Sequence, residues 1–224
     1  MNARYRNRFE AGRVLAGLLR HHADDPSIIV LALPRGGVPV GFETARALRA
    51  PLDVFVVRKL GMVGHEEFAL GAIASGGVRV LNTEAIRTLN IPAETIEAVA
   101  AREEEELERR EVAFRGDRPP LDVRGRKVIL VDDGLATGST MRAAVVALRQ
   151  QHPQTITVAV PVAAAETCHE FRPDVDEVIC ARTPEPFLAV GLWYDDFTQT
   201  SDEEVRALLK RATEFAEPHS APAR

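Results

Sequence analysis

The chain has 224 residues, of which 46% are hydrophobic, so it is long enough for one α/β domain, or one domain with a small cap, around a sizeable core. Its formal net charge of −5 argues against general nucleic-acid binding, and no apolar run is long enough to cross a bilayer. Its two cysteines fit neither a metal-binding pattern nor a disulfide framework, so we expect buried small apolar residues in a cytoplasmic protein.

Helices and strands alternate in the hydrophobic pattern of the chain. Helices are predicted over 9–19, 40–48, 83–114 (broken near 90–92) and from the cap at 201–204 onward. Strands are predicted over 28–33, 52–57, 69–81 (with a hairpin partner), 128–131, 155–162 and 175–181. This alternation predicts an α/β fold with a parallel twisted sheet and flanking helices, whose ligands bind beyond the carboxyl ends of the strands.

A buried strand, two acids and a turn suited to phosphate follow one another over residues 128–140. Asp132 and Asp133 stand at the carboxyl end of the strand, where they suit sugar hydroxyls or a divalent cation. The turn, placed at the start of a helix, suits a phosphate through its backbone N–H groups and hydroxyls. It consists of Gly134, Leu135, Ala136, Thr137, Gly138, Ser139 and Thr140. Together these features predict a site for a phosphorylated sugar.

This stretch resembles the 5-phosphoribosyl-1-diphosphate (PRPP) signature of type I phosphoribosyltransferases. The resemblance implies an α/β fold with a small hood, Mg²⁺ as the cofactor and PRPP as a ligand. It also implies that residues 133–140 bind the 5-phosphate, while Asp132 and Asp133 bind the ribose diol and the metal and act in catalysis. The alternative, a generic strand–turn–helix crossover, does not explain two acids followed by Thr-Gly-Ser-Thr.

The turn after the first strand is similar to the loop that binds pyrophosphate in this family. Arg35, Gly36 and Gly37 are implied to bind substrate there, because glycines permit a close approach of the backbone to the ligand. The resemblance also implies a non-proline cis peptide bond between Pro34 and Arg35. An ordinary strand–helix turn is the alternative for this run.

Residues 58–67 stand where the family has a mobile loop that closes over the site. Arg58 and Lys59 are implied to face the pyrophosphate, with Lys59 as a catalytic residue, and a solvated strand end is the alternative for both. Glu67, or its neighbour Glu66, is the candidate general acid/base.

The segment 183–200 resembles the hood of purine phosphoribosyltransferases. The resemblance places Phe187 or Leu188 against the base and makes Asp195 a ligand of the metal or of the base. Plain core packing of the aromatic residues is the alternative. The implied domains are a core over 1–182, the hood over 183–200, a C-terminal helix over 201–216 and a disordered tail over 217–224.

The implied function is transfer of the 5-phosphoribosyl group from PRPP to a nucleobase or similar nitrogen nucleophile, with release of pyrophosphate, as in purine salvage. Oxopurine enzymes carry Asp where Ala136 stands and Lys where Ala181 stands, so the base stays open. A non-catalytic PRPP- or nucleotide-sensing regulator is the alternative, and a PRPP synthase-like transferase would need a longer, duplicated chain. The resemblance is compatible with a homodimer.

Overall fold

Two sheets organise the protein, whose computed structural model describes residues 4–62 and 65–216, without the side chains of residues 62, 65–69 and 216. The strands of the central sheet are β1 Ile28–Ala32, β2 Leu52–Val54, β6 Lys127–Val131, β7 Thr155–Val162 and β8 Glu177–Arg182. These five strands are parallel, in the order β2-β1-β6-β7-β8. The smaller sheet is antiparallel, with β3 Val57–Met62, β4 His65–Ala74 and β5 Val78–Leu81.

Seven helices of the described residues flank these sheets. Their bounds are α1 Arg8–Leu18, α2 Gly37–Leu48, α3 Thr83–Thr88, α4 Ala93–Arg115, α5 Ser139–Gln150, α6 Ala165–Glu170 and α7 Asp202–Ala216. Short 3-10 helices occupy Arg20–His22 and Val190–Trp193. None of the helices in the described part of the chain is both long and apolar enough to cross a membrane.

Apart from the partly buried edge strand β8, the central sheet is buried on both faces. In β1, Ile28, Val30 and Ala32 belong to a core shared with α1, α2, α4 and α7, whereas Ile29 and Leu31 face a second core that contains α5. A strand covered on both sides needs an unbroken apolar run, because no position along it faces water. The predicted fold class is therefore confirmed.

Most predicted elements agree with the structure to within a few residues, and one does not. The helix predicted over 83–114 is interrupted as expected, and Asn90, with φ 49°, lies in the break between α3 and α4. Residues 58–67, predicted to be a mobile loop, instead lie mostly in the antiparallel strands β3 and β4. Residues 63 and 64 and the predicted tail 217–224 fall outside the described residues.

Candidate functional site

The site is built around the acid pair, Asp132 and Asp133, directly after the central strand β6. The backbone N–H of Asp133 donates to Oδ1 of Asp132 at 2.8 Å, which orients the Asp132 carboxylate relative to the Asp133 backbone. Burial, together with the neighbouring negative charge, raises the pKa of Asp132 well above its ordinary value. Burial also raises the pKa of Asp133, and the guanidinium of Arg8 partly offsets that increase. Two charges so close together favour an incoming cation or hydroxyl donor.

The predicted glycine turn rests directly on the acid pair. A Cβ added at Gly36 would lie 2.1 Å from Oδ2 of Asp133, and one at Gly37 would lie 2.8 Å from the Val131 carbonyl oxygen. Only glycine therefore allows the turn to approach the carboxylates so closely. The Pro34–Arg35 peptide bond is cis, as the resemblance implied.

Arg8 of α1 holds the outer carboxylate of the pair. Its Nε donates to Oδ2 of Asp133 at 2.8 Å, and one terminal nitrogen donates to the Thr198 carbonyl oxygen at 2.8 Å. The guanidinium also lies 3.9 Å from the centroid of the Phe197 ring. From the other side, the hydroxyl of Tyr194 donates to the Asp133 carbonyl oxygen at 2.5 Å. The N-terminal helix and the segment 193–198 thus enclose the acid pair together.

Residues 134–140, the phosphate turn, line a pocket of about 220 Å³ that also contains Asp132, Lys59 and Val190. Its backbone enters α5 through Gly138, whose φ of 69° favours glycine. Three hydroxyl side chains of the turn are exposed and line this pocket, those of Thr137, Ser139 and Thr140. The pocket therefore offers an anion the hydroxyls of the turn, the N-terminal N–H groups of α5 and the ammonium group of Lys59.

Helix α6 forms the floor of the phosphate turn. The hydroxyl of Thr167 donates to the Ala136 carbonyl oxygen at 2.8 Å, and the Phe171 ring packs against Gly138, where an added Cβ would lie 2.7 Å away. Next to Thr167, Cys168 of α6 is joined by a disulfide to Cys180 of β8, with Cα atoms 6.6 Å apart. The expectation of two unpaired cysteines was wrong, because the packing of α6 on β8 brings together residues that sequence spacing does not relate.

A second pocket, of about 460 Å³, lies on the other side of the acid pair, and we call it the arginine pocket. Its lining includes Arg8, Arg35, Arg109, Arg110, Asp133 and Asp202. Arg35 contacts Asp202 at 3.2 Å, and more than a third of each side chain is exposed. Such exposed pairs are weak, so Arg35 remains available to a ligand.

Comparison with known proteins now assigns the family. The model of the phosphoribosyl transferase domain family matches residues 61–187. The chain belongs to the phosphoribosyl transferase domain family. It is 46% identical over 212 residues to a provisionally named phosphoribosyl transferase of Mycobacterium tuberculosis, covering 94% of this chain and 48% of that protein. This chain thus spans about half the length of the curated relatives it matches.

Two further relatives extend the comparison of this phosphoribosyl transferase domain. The structure of TT1426 from Thermus thermophilus superposes with a TM-score of 0.83 at 42% identity, covering 93% of this chain and 98% of that one. The bifunctional protein PyrR of Listeria welshimeri is 34% identical over 96 residues, or 38% of this chain and 51% of that protein. The family match begins at residue 61, so Arg8 and the glycine turn lie outside it.

The remaining predicted site residues of this phosphoribosyl transferase domain lie in several places. The guanidinium of Arg58 forms an ion pair with Glu103 of α4 at 2.6 Å, whereas Lys59 lines the pocket of the phosphate turn. The two neighbouring cations therefore do not face the same ligand group. The side chain of Glu67 is not among those that the structure describes.

The predicted ligand-binding residues of the hood segment, residues 183–200, differ in their exposure to solvent. Leu188 is 77% exposed, whereas Phe187 packs partly against the Tyr5–Tyr194 cluster. Asp195 is exposed, and its backbone N–H donates to the Tyr5 carbonyl oxygen at 2.8 Å. Within the described part of the chain, its carboxylate does not form a three-ligand group with the acid pair.

Proposed function

We propose that this chain transfers the 5-phosphoribosyl group of PRPP to a nitrogenous base and releases pyrophosphate. The observation that carries the proposal is the placement of the acid pair between two pockets that contain cations, in a chain of the phosphoribosyl transferase domain family. PRPP has a phosphate at one end of its ribose, a diol in the middle and a pyrophosphate at the other end. That order of groups matches phosphate turn, acid pair and arginine pocket.

The 5-phosphate binds the phosphate turn in this scheme. The ammonium group of Lys59 and the first N–H groups of α5 face its charge, while the hydroxyls of the turn satisfy its oxygens. The floor formed by Thr167 and Phe171 keeps the turn in position. Binding at this end fixes the ribose and aligns its reacting carbon for attack.

Asp132 and Asp133 would hold the ribose diol and Mg²⁺. Two carboxylates suit Mg²⁺, which keeps several water or substrate oxygens among its ligands and needs no complete protein cage. When bound there, Mg²⁺ would supply positive charge that offsets the charge of the leaving pyrophosphate. Burial raises the pKa of both acids, so two negative charges at this place are unfavourable. A bound cation or hydroxyl donor would lower the free energy of the charged pair.

The arginine pocket receives the pyrophosphate. The glycine turn allows backbone N–H groups near Gly36 to approach it, and Arg35 adds positive charge. These groups stabilise the charge that develops on the leaving group as the C1–O bond breaks. The β3–β4 hairpin is the element proposed to exclude water, and Glu67 is the proposed general acid/base.

The hood segment supplies the face for the base. Leu188 projects an uncovered apolar side chain, and Phe187 lies beside it in the chain. Because Leu188 is so exposed, Leu188→Ala should weaken use of the base without loss of fold stability or PRPP affinity. Asp195 is proposed to contribute to metal or base binding after the segment moves, since its carboxylate is exposed.

The decisive experiment is a panel of purine and pyrimidine bases incubated with the protein, PRPP and Mg²⁺, with pyrophosphate release as the readout. We expect one base to be turned over, and the Asp132→Asn, Asp133→Asn double variant to be inactive. Calorimetry should show that Asp133→Asn alone loses about 2 kcal/mol of PRPP binding. Unchanged PRPP affinity in both single Asn variants would refute the site, whereas tight binding without turnover of any base would favour a PRPP sensor.

A further inference from the structure

A cluster of two histidines and one glutamate lies away from the candidate site. His21 and His22 belong to the 3-10 helix after α1, and Glu177 is the first residue of the edge strand β8. The acid pair follows the carboxyl end of β6, whereas Glu177 stands at the amino end of a parallel strand, so the cluster occupies the opposite edge of the sheet. The proposed transfer reaction does not use it.

The three side chains converge on one point. Nε2 of His21 lies 3.1 Å from Oε1 of Glu177, and Nε2 of His22 lies 2.9 Å from Oε2. One donor atom from each residue lies within 4.8 Å of the others, and no second group of this kind occurs among the side chains that the structure describes. Ligands about 2.0 Å from a tetrahedral zinc ion are separated by about 3.3 Å, so little movement would admit a metal.

The Glu177 carboxylate also accepts a hydrogen bond from the neighbouring strand β7. The hydroxyl of Thr157, a buried residue of β7, donates to Oε2 of Glu177 at 3.2 Å. Hydrogen bonds of this kind orient the ligands of metal sites and raise their affinity. The side chain of His22 is mostly buried and that of His21 is half-exposed, which leaves a path for solvent to a fourth position.

We propose that His21, His22 and Glu177 form a zinc-type site for a divalent transition metal, with water as the fourth ligand. Two imidazoles among three ligands favour Zn²⁺ over Mg²⁺ or Ca²⁺, which prefer oxygen ligands. The metal clamps the end of α1 to the edge strand β8. Because α1 also carries Arg8, the clamp fixes the helix that contacts the acid pair.

Isothermal titration of metal-free protein with ZnCl₂ and, separately, MgCl₂ tests the proposal. The Asp132→Asn, Asp133→Asn background removes the acid pair as a competing site. We expect one zinc ion per chain and no magnesium binding at this cluster. Glu177→Gln and His22→Gln should each weaken zinc binding at least tenfold, whereas His169→Gln, a change in an exposed histidine of α6, should leave it unchanged.

Two further readouts separate metal ligation from folding. In the same Asp132→Asn, Asp133→Asn background, zinc at about a hundredfold excess over its Kd should raise the Tm by about 5 to 10 °C, and that increase should vanish when Glu177→Gln is added. Co²⁺ should give visible bands of tetrahedral intensity that His21→Gln, a change at a half-exposed side chain, removes while the circular dichroism spectrum stays unchanged. The proposal would be overturned if the protein with all three ligands bound no zinc, or if the His21→Gln, His22→Gln and Glu177→Gln variants bound zinc as tightly as that protein. The three side chains would then be a hydrogen-bonded cluster without a metal.

Discussion

Replacing Arg8 by methionine tests how the acid pair is stabilised. The side chains of Arg8 and Asp133 are only 10% and 15% exposed, and they are joined by a 2.8 Å hydrogen bond. Methionine retains much of the volume of the arginine stem but removes its charge. Asp133 is then left with a carboxylate that has lost its cation, while Phe197 loses the guanidinium that lies over its ring.

The expected loss has two parts. The mostly buried charge-assisted hydrogen bond to Asp133 contributes about 2 kcal/mol. The cation–π contact with Phe197 and the hydrogen bond to the Thr198 carbonyl together contribute another ~2 kcal/mol. The free energy of unfolding should therefore fall by about 4 kcal/mol, which lowers Tm by roughly 8 to 16 °C for a chain of this size. In the Asp133→Asn background, only the second part is lost, so the same change should cost about 2 kcal/mol.

The pH dependence has a definite sign. Burial raises the pKa of Asp133 and Arg8 lowers it, so the Arg8→Met variant has a still higher pKa at this carboxyl. An acid whose folded-state pKa is raised stabilises the fold below its ordinary pKa and loses that contribution as pH rises through the folded-state pKa. The deficit of Arg8→Met should thus be smallest near about pH 4 and grow toward about pH 8.

Chemical denaturation of the four proteins of this double-mutant cycle, across that pH range, measures both parts. An interaction energy of about 2 kcal/mol at neutral pH is the expected result. If Arg8→Met costs the same with Asp133 and with its Asn replacement, at every pH, Arg8 acts by packing alone and the electrostatic reasoning is wrong.

Three more changes probe the site. Asp132→Asn should raise the unfolding free energy of the ligand-free protein by about 1 kcal/mol at pH 8, because the raised pKa of Asp132 makes its ionisation costly, and a loss of stability in urea titrations would contradict this. The same variant should lose about 2 kcal/mol of PRPP binding. Gly36→Ala should weaken PRPP binding more than tenfold in calorimetry because its Cβ would meet a carboxylate, whereas Gly17→Ala, which faces open space, should not. Lys59→Met should weaken binding of inorganic phosphate about tenfold in isothermal titration, whereas Arg58→Met should lower Tm in scanning calorimetry. The opposite pattern, weaker phosphate binding in Arg58→Met and a lower Tm in Lys59→Met, would contradict these roles.

The sheet and the acid pair were predictable because their signals are local. An apolar run such as residues 28–33 suits a strand covered on both faces, and β1 is buried throughout. The acids and the phosphate turn are consecutive in the chain, so their proximity needs no tertiary information. Residues 58–67 were interpreted as a loop because the resemblance places one there, whereas the structure has the strands β3 and β4 over most of them.

The rest of the site depends on contacts between distant parts of the chain. Arg4, Arg6 and Arg8 look equivalent in the sequence, and only the packing of α1 against residues 193–198 selects Arg8 for the acid pair. Arg109 and Arg110 belong to a highly charged helix whose composition suggests a solvated face, yet they border the arginine pocket. Such roles follow from tertiary packing, which sequence periodicity does not encode.

The enclosure of the acid pair also determines when the site is completed during synthesis. The hydrogen bond from Arg8 to Thr198 joins residues 190 positions apart. At about 5 to 20 residues per second, the ribosome needs roughly 10 to 40 seconds to add the second partner after the first. All strands of the central sheet have been made by Arg182, before Tyr194 is added. A nascent chain of that length contains the whole central sheet but lacks the contacts that hold Arg8 on Asp133.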